Sequence, residues 1–291
     1  LEISLPEKTA SYLDWAKLLD EYRLSNEIQS QKDYWKNVVE DTRNAKLKLD
    51  KQGDSSGFET VEVKLEGDLT EALLKEANQA FNTKINDLLI SGLVMAVNEM
   101  TSQRKIAITM EGHGREELHR KIKIDRTVGW FTSMYPLVVS CKEDIQQTII
   151  NTKEIIRKIP NNGIGYGVLQ DQLPSVDIDI TFNYLGQIGE SKCDNNIKFF
   201  ETGKSIADEN KLSSGISISG SIDGKNLLMK FNFNASDYNY MQIENFARIY
   251  LDMLKKIIQY CINRDDTSKT ISDMDTEDLL TEDLENINLL F

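Results

Sequence analysis

Two hydrophobic periods alternate along this chain, and their order restricts the fold more than any other feature. From Lys105 the period is two: Ile106, Ile108 and Met110 point one way, Ala107, Thr109 and Glu111 the other. Residues 177 to 185 alternate likewise, with Ile178, Ile180, Phe182 and Tyr184 on one face and Asp177, Asp179, Thr181 and Asn183 on the other. Phe58, Val61, Val63 and Leu65 mark an edge-like strand, and a further strand covers Pro136 to Ser140. Asp223-Gly224, between Ile216–Ile222 and Leu227–Phe233, signals a hairpin, since a type I′ turn needs positive φ at both central residues.

Between these strands the period is helical. Residues 7 to 40 read as two helices broken at Ser25-Asn26, followed by a polar, lysine-rich connector to residue 56. Asp68, with Glu71 three residues on, predicts a capping box for a helix carrying Leu69, Leu73, Ala77 and Phe81. Ile85 to Met100 is apolar nearly all round, as a buried helix requires. A helix from Asp144 stops at Pro160, and Ile243, Phe246, Ala247, Tyr250, Leu254, Ile257 and Cys261 stripe a long amphipathic one. Helices mixed with hairpins and longer crossovers predict an α/β chain folded as an α+β two-layer sandwich. No internal repeat is visible.

Charge narrows the function. Lys+Arg 34 against Asp+Glu 47 leaves a net −13 and a pI near 4.8, the opposite of the basic face that nucleic acid demands. No apolar run approaches the ~20 residues that span a bilayer. The opening Leu-Glu-Ile-Ser-Leu-Pro is acidic where a secretory signal is basic, and Cys141, Cys193 and Cys261 lack metal-ligand spacing. A cytoplasmic chain with reduced thiols is expected. Because it starts at Leu1, it is expected to be a segment of something longer.

Glu111-Gly112-His113-Gly114-Arg115-Glu116 is the most unusual run. A carboxylate, an imidazole and a guanidinium fall within six residues, separated by glycines that let the backbone turn. In a poorly hydrated cleft the pKa of Glu111 would rise, fitting it for general acid or base work. The plainer reading is a strand-to-loop turn with a surface Arg115–Glu116 ion pair. Asp177-x-Asp179 lacks further ligands, so no metal site is expected.

The run EGHGRE, with RTVGWFTSMYP at 126–136, PNNGIGYG at 160–167, FNYLGQ at 182–187, INDLLISGL at 85–93 and the opening LPEKTASYLDWAKLL, resembles the C-terminal half of an epimerization domain of nonribosomal peptide synthetases. The resemblance implies the chloramphenicol-acetyltransferase-like architecture of condensation domains, in which two lobes flank a tunnel. It divides the chain into linker helices (1–56), a C-terminal lobe (57–264) and an acidic helical tail (265–291). It also implies a substrate held as an aminoacyl or peptidyl thioester on the phosphopantetheine arm of a peptidyl carrier protein, with no cofactor bound directly. The α-proton is removed and returned by two groups on opposite faces. Glu111 matches one of them; the other is the second histidine of a His-His-x-x-x-Asp-Gly motif in the N-terminal lobe.

That motif is absent: the only histidines are His113 and His119. The chain is therefore expected to be inactive alone and to need an N-terminal lobe as partner. Asn183 and Tyr184 match site-lining positions, and their alternation implies that only one faces the tunnel. His113 is expected to orient and Arg115 to hold the loop through a nearby carboxylate. Trp130, Ser133 and Tyr135 are tunnel candidates, although Gly129-Trp130-Phe131 also reads as a packed turn. Two alternatives stand beside epimerization. One is a condensation domain, which does not usually carry EGHGRE; the other is a non-catalytic fragment that docks a partner. The tail, with Leu279, Leu280, Leu284, Ile287 and Leu290 opposite its acidic residues, either packs on its own lobe or docks a basic helix of a downstream synthetase subunit.

Overall fold

The computed structural model describes residues 6–118, 122–187, 207, 210, 212, 214–264 and 266–274. The N-terminal segment forms three helices rather than two: α1 (Tyr12–Arg23), α2 (Asn26–Ser30) and α3 (Lys32–Asn44). Ser11 and Asp14 close a capping box on α1, and the Ser25 hydroxyl caps α2, so the polar break works as a second helix start. α2, α3 and the end of α1 belong to the main core, while Trp15 of α1 packs in a separate cluster with Ile124, Phe131 and Ile164. Trp35 is fully buried between the rings of Tyr135 (6.2 Å) and Tyr166 (5.4 Å), and Tyr22, Ile28 and Val39 join the same apolar cluster.

A six-stranded mixed sheet follows: β1 (Phe58–Leu65), β2 (Lys105–Gly112), β3 (Ser133–Ser140), β4 (Ile180–Gln187), β5 (Ile216–Asp223) and β6 (Asn226–Asn234), in the order β1-β6-β5-β4-β2-β3. β4 runs parallel to β2 and β5; the other pairs are antiparallel. The β5–β6 hairpin is shifted by one residue from expectation. Asp223 pairs with Asn226, so the central residues are Gly224 and Lys225, and only Gly224 has positive φ (58°). That is the II′ pattern, which needs glycine at the first central position only.

Helices α4 (Gly67–Lys75), α5 (Ile85–Thr101), α6 (Ile145–Arg157) and α8 (Tyr240–Ile262) cover one face of the sheet; the short α7 (Ile164–Leu169) lies against β3. The capping box at Asp68 does not form: Glu66 is the N-cap, without a side-chain bond, and Glu71 pairs with Lys75 at 2.6 Å instead. α5 is buried as its composition predicts, and α8 lays Phe246 and Tyr250 against Phe231. Two buried ion pairs brace this layer. Arg157 grips the fully buried Asp87 with both nitrogens (2.7 and 3.1 Å), and Lys153 reaches Asp273 at 2.6 Å.

The opposite face is polar. It presents Thr109 and Glu111 from β2, Asn183 and Leu185 from β4, Ser217, Ser219 and Ser221 from β5, and Lys230 and Asn232 from β6, all partly or fully exposed. The connector after α3 crosses one end of the sheet. The carbonyl of Ala45 accepts from the N–H of Ala107, the buried Gln103 amide bridges Lys46, Lys48 and Lys105, and the Asp54 N–H reaches Ala235. Of the expected tail, residues 266–274 pack back against α6, with a 3-10 turn at Ile271–Asp273. The leucine stripe from Leu279 onward lies outside the described residues, as do His119 and Cys193. Among the described residues no helix is long and apolar enough to cross a membrane.

Candidate active site

Register brings Glu111 and Asn183 together. β2 and β4 pair in parallel up to Met110 with Phe182, so the next residues on the open face are neighbours, and Asn183 Nδ2 donates to Glu111 Oε2 at 2.6 Å. Glu111 is half-buried, and desolvation raises its carboxyl pKa above the ordinary value. The Asn183 donor favours the charged form and acts against that rise. The pair thus holds a carboxylate that is more basic than a solvated one and fixed in direction. Tyr184 follows Asn183 by one residue and therefore points to the other side, where it packs against the main core. Of the two alternatives on this strand, Asn183 is the one that meets Glu111.

Past Glu111 the chain turns hard. Gly114 has φ of 65°, and a Cβ there would lie 1.7 Å from the carbonyl oxygen of Phe131, so only glycine fits this approach. Arg115 does hold the loop, but among the described residues without the expected carboxylate. Its guanidinium donates to the carbonyls of Ile124 and Thr127 and lies 3.9 Å from the centre of the Phe131 ring. The surface pair with Glu116 is not made. His113 is largely exposed; its Nδ1 accepts from the Arg115 N–H at 3.0 Å and its Nε2 lies 3.5 Å from Glu116 Oε1. Glu116 in turn accepts from Asn162 Nδ2 at 2.8 Å.

The three tunnel candidates do not gather around Glu111. Trp130 is 82% exposed at a loop tip, with its carbonyl held by the Tyr12 hydroxyl at 2.7 Å, while its neighbour Phe131 supplies the packing, against Trp15 and Tyr12. Ser133 and Tyr135 pair with Gly112 and Met110, which puts their side chains on the helix-covered face, opposite to Glu111. Burial, with Tyr34 and Glu116 nearby, pushes the Tyr135 phenol up to about 12. The β3 residue beside Glu111 is Met134, which alternation from the buried Tyr135 would have indicated. Ser219, paired with Asn183, continues the same face. Asp177 and Asp179 meet lysines: Lys46 stands 2.5 Å from Asp177 and Lys51 3.9 Å from Asp179.

These features define a mixed α/β fold whose polar sheet face carries an aimed carboxylate. The condensation-domain family model matches residues 2–280, and the chain belongs to that family, found in nonribosomal peptide synthetases. It is 33% identical to tyrocidine synthase 1 of Brevibacillus parabrevis over 98% of its own length, which is 28% of that protein. It is 32% identical to surfactin synthase subunit 1 of Bacillus subtilis (strain 168), over 99% of its own length and 8% of that subunit. Among solved structures it superposes on the epimerization domain from the third module of tyrocidine synthetase B with a TM-score of 0.81 and 31% identity, covering 91% of this chain and 63% of that one. SgcC5 of Streptomyces globisporus, at 14% identity and TM-score 0.66, shares the fold. The chain thus spans less than two thirds of that epimerization domain and a small part of the synthetases.

Proposed function

We propose that the chain is the C-terminal lobe, with its linker helices, of an epimerization domain that interconverts L- and D-configured aminoacyl or peptidyl thioesters carried on phosphopantetheine. The observation that carries this reading is the Glu111–Asn183 pair. A partly desolvated carboxylate, held by a 2.6 Å donor on an open sheet face, suits proton transfer at carbon better than a fully solvated one. The likeness to a tyrocidine epimerization domain supports the choice over condensation.

In the proposed step, Glu111 takes the α-proton from one face of the substrate Cα. The C–H electron pair moves into the Cα–C bond, and the thioester oxygen becomes an enolate. A proton delivered from the other face to Cα gives the opposite configuration, and Glu111 loses its proton as the cycle resets. A group placed across Cα is required, and no histidine pair occurs in these 291 residues. An N-terminal lobe laid over the polar face would supply it. The carrier protein and the cytoplasm are the setting this reading implies.

The test is α-deuterium exchange in heavy water, with carrier-loaded substrate and a full-length synthetase containing this chain. Glu111→Gln should cut exchange by about 10²–10⁴-fold without unfolding the lobe. The 291-residue chain alone should show none above background. Near-normal exchange by a folded Glu111→Gln variant refutes the assignment.

A further inference from the structure

Among the described residues, three successive left-handed residues occur only in the loop before α7, where φ is 44° at Asn161, 50° at Asn162 and 84° at Gly163. A residue with a Cβ holds this backbone only where its surroundings over-determine it, and such strain gathers at functional sites. Here each asparagine amide is committed to a different element. Asn161 Nδ2 donates to Tyr22 Oη (2.6 Å) and Glu27 Oε1 (2.8 Å), and the Tyr22 hydroxyl donates to the same carboxylate at 2.6 Å. Asn162 Nδ2 donates to Glu116 Oε2.

The loop backbone also presses on the end of the catalytic strand. A Cβ on Gly112, the residue after Glu111, would stand 3.3 Å from the Asn162 carbonyl oxygen, and one on Gly163 would stand 2.0 Å from the Tyr135 ring. A continuous chain of contacts therefore runs from α1 and α2, through the two asparagines, to Glu116 and the strand end that aims Glu111. Nothing in the proton-transfer step uses Asn162 or Glu116.

We propose that Asn162 and Glu116 are positioning residues: their bond locks the strained loop against Gly112 and so fixes the direction in which the Glu111 carboxylate meets Asn183. This rests on the reading of Glu111 as an acid/base group. A bond to an ionised carboxylate is stronger than a neutral one, which suits it to holding an unfavourable backbone. Reacting groups misplaced by about 1 Å lose on the order of 10²-fold in rate, so a partial loosening is expected to be visible in kcat.

The experiment reverses the pair. Asn162→Asp sets two carboxylates against each other; Asn162→Asp with Glu116→Gln restores one donor and one acceptor of unchanged size. Asn162→Gly accepts the left-handed backbone without strain yet removes the amide, which guards against a variant that merely misfolds. In the full-length synthetase, Asn162→Asp and Asn162→Gly should each lower kcat for α-deuterium exchange about tenfold or more with KM unchanged, and the reversed pair should recover most of it. A second readout needs no substrate: the ¹⁵N–¹H signal of the Asn183 side-chain amide in this chain, followed against pH, reports the Glu111 carboxyl. Its titration should shift in Asn162→Asp and return in the reversed pair. If wild-type exchange is absent, the acid/base reading of Glu111 falls, while the amide titration still decides the positioning claim. Folded single variants with unaltered kcat and unaltered Asn183 titration overturn the proposal, as does a reversed pair that recovers neither.

Discussion

Methionine in place of Lys153 should cost the fold about 3 kcal/mol. Lys153 is 1% exposed, and its ammonium donates to the Phe81 carbonyl at 2.8 Å and to Asp273 Oδ2 at 2.6 Å. Methionine keeps the straight stem and most of the volume but donates nothing. The Phe81 carbonyl would lose a buried donor, worth about 1–3 kcal/mol. Asp273 would keep the Asn82 amide at 2.7 Å, the Thr270 N–H at 2.9 Å and the Thr270 hydroxyl at 3.1 Å. Its charge stays supported, so the total belongs at the low end of the roughly 3–5 kcal/mol that breaking a buried pair costs. At about 2–4 °C per kcal/mol for a domain of this size, Tm should fall by about 6–12 °C at neutral pH.

Acid provides the control. Burial pushes the Asp273 pKa up, but Lys153, the Thr270 N–H and Asn82 together hold it below the ordinary carboxylate value. A depressed folded pKa gives stabilisation that is complete above the unfolded value and lost as pH falls through the folded one. The gap between wild type and Lys153→Met should therefore narrow from neutral pH to about pH 3. Circular-dichroism melts of the two proteins at both pH values measure it. A Tm loss below about 2 °C at pH 7, or a gap that widens in acid, would refute the reasoning.

Glu111→Gln should melt higher than wild type at pH 8. A carboxyl raised by burial favours folding while protonated and loses that contribution as pH rises through its folded pKa, whereas glutamine never ionises. The difference should vanish in acid, and a lower Tm of the variant at pH 8 would count against a desolvated Glu111. Gly114→Ala combines a left-handed φ of 65° with a Cβ 1.7 Å from the Phe131 carbonyl, and should lower stability by about 2–4 kcal/mol in urea titration. An unchanged urea midpoint would show that the 112–116 turn is free to move.

The sequence by itself determined most of the elements and singled out Glu111 as a candidate. Period-two runs at 105–111 and 177–185 became β2 and β4, the nearly all-apolar stretch from Ile85 became the buried α5, and the stripe from Ile243 to Cys261 became the core face of α8. These are local properties, set by the direction of successive side chains. The EGHGRE run marked Glu111 because few structural needs put a carboxylate, an imidazole and a guanidinium side by side with glycines separating them.

Only the tertiary structure decided which residues meet. Asn183 rather than Tyr184 reaches Glu111 because β4 lies parallel to β2 in one register, and a shift of one residue would have exchanged their faces. The same register, read across to β3, sends Ser133 and Tyr135 away from the site and brings Met134 in. Arg115 found carbonyls and a ring, and Glu116 found Asn162 at a sequence separation of 46, because long-range partners depend on how loops pack. The lysine-to-aspartate contact that pins residues 270–274 spans 120 residues; helical spacing from Ile149 and Ile156 puts Lys153 on the apolar face of α6, but it does not name Asp273 as the partner. Periodicity reports the face a side chain leaves from; what it touches is fixed only when distant segments come together.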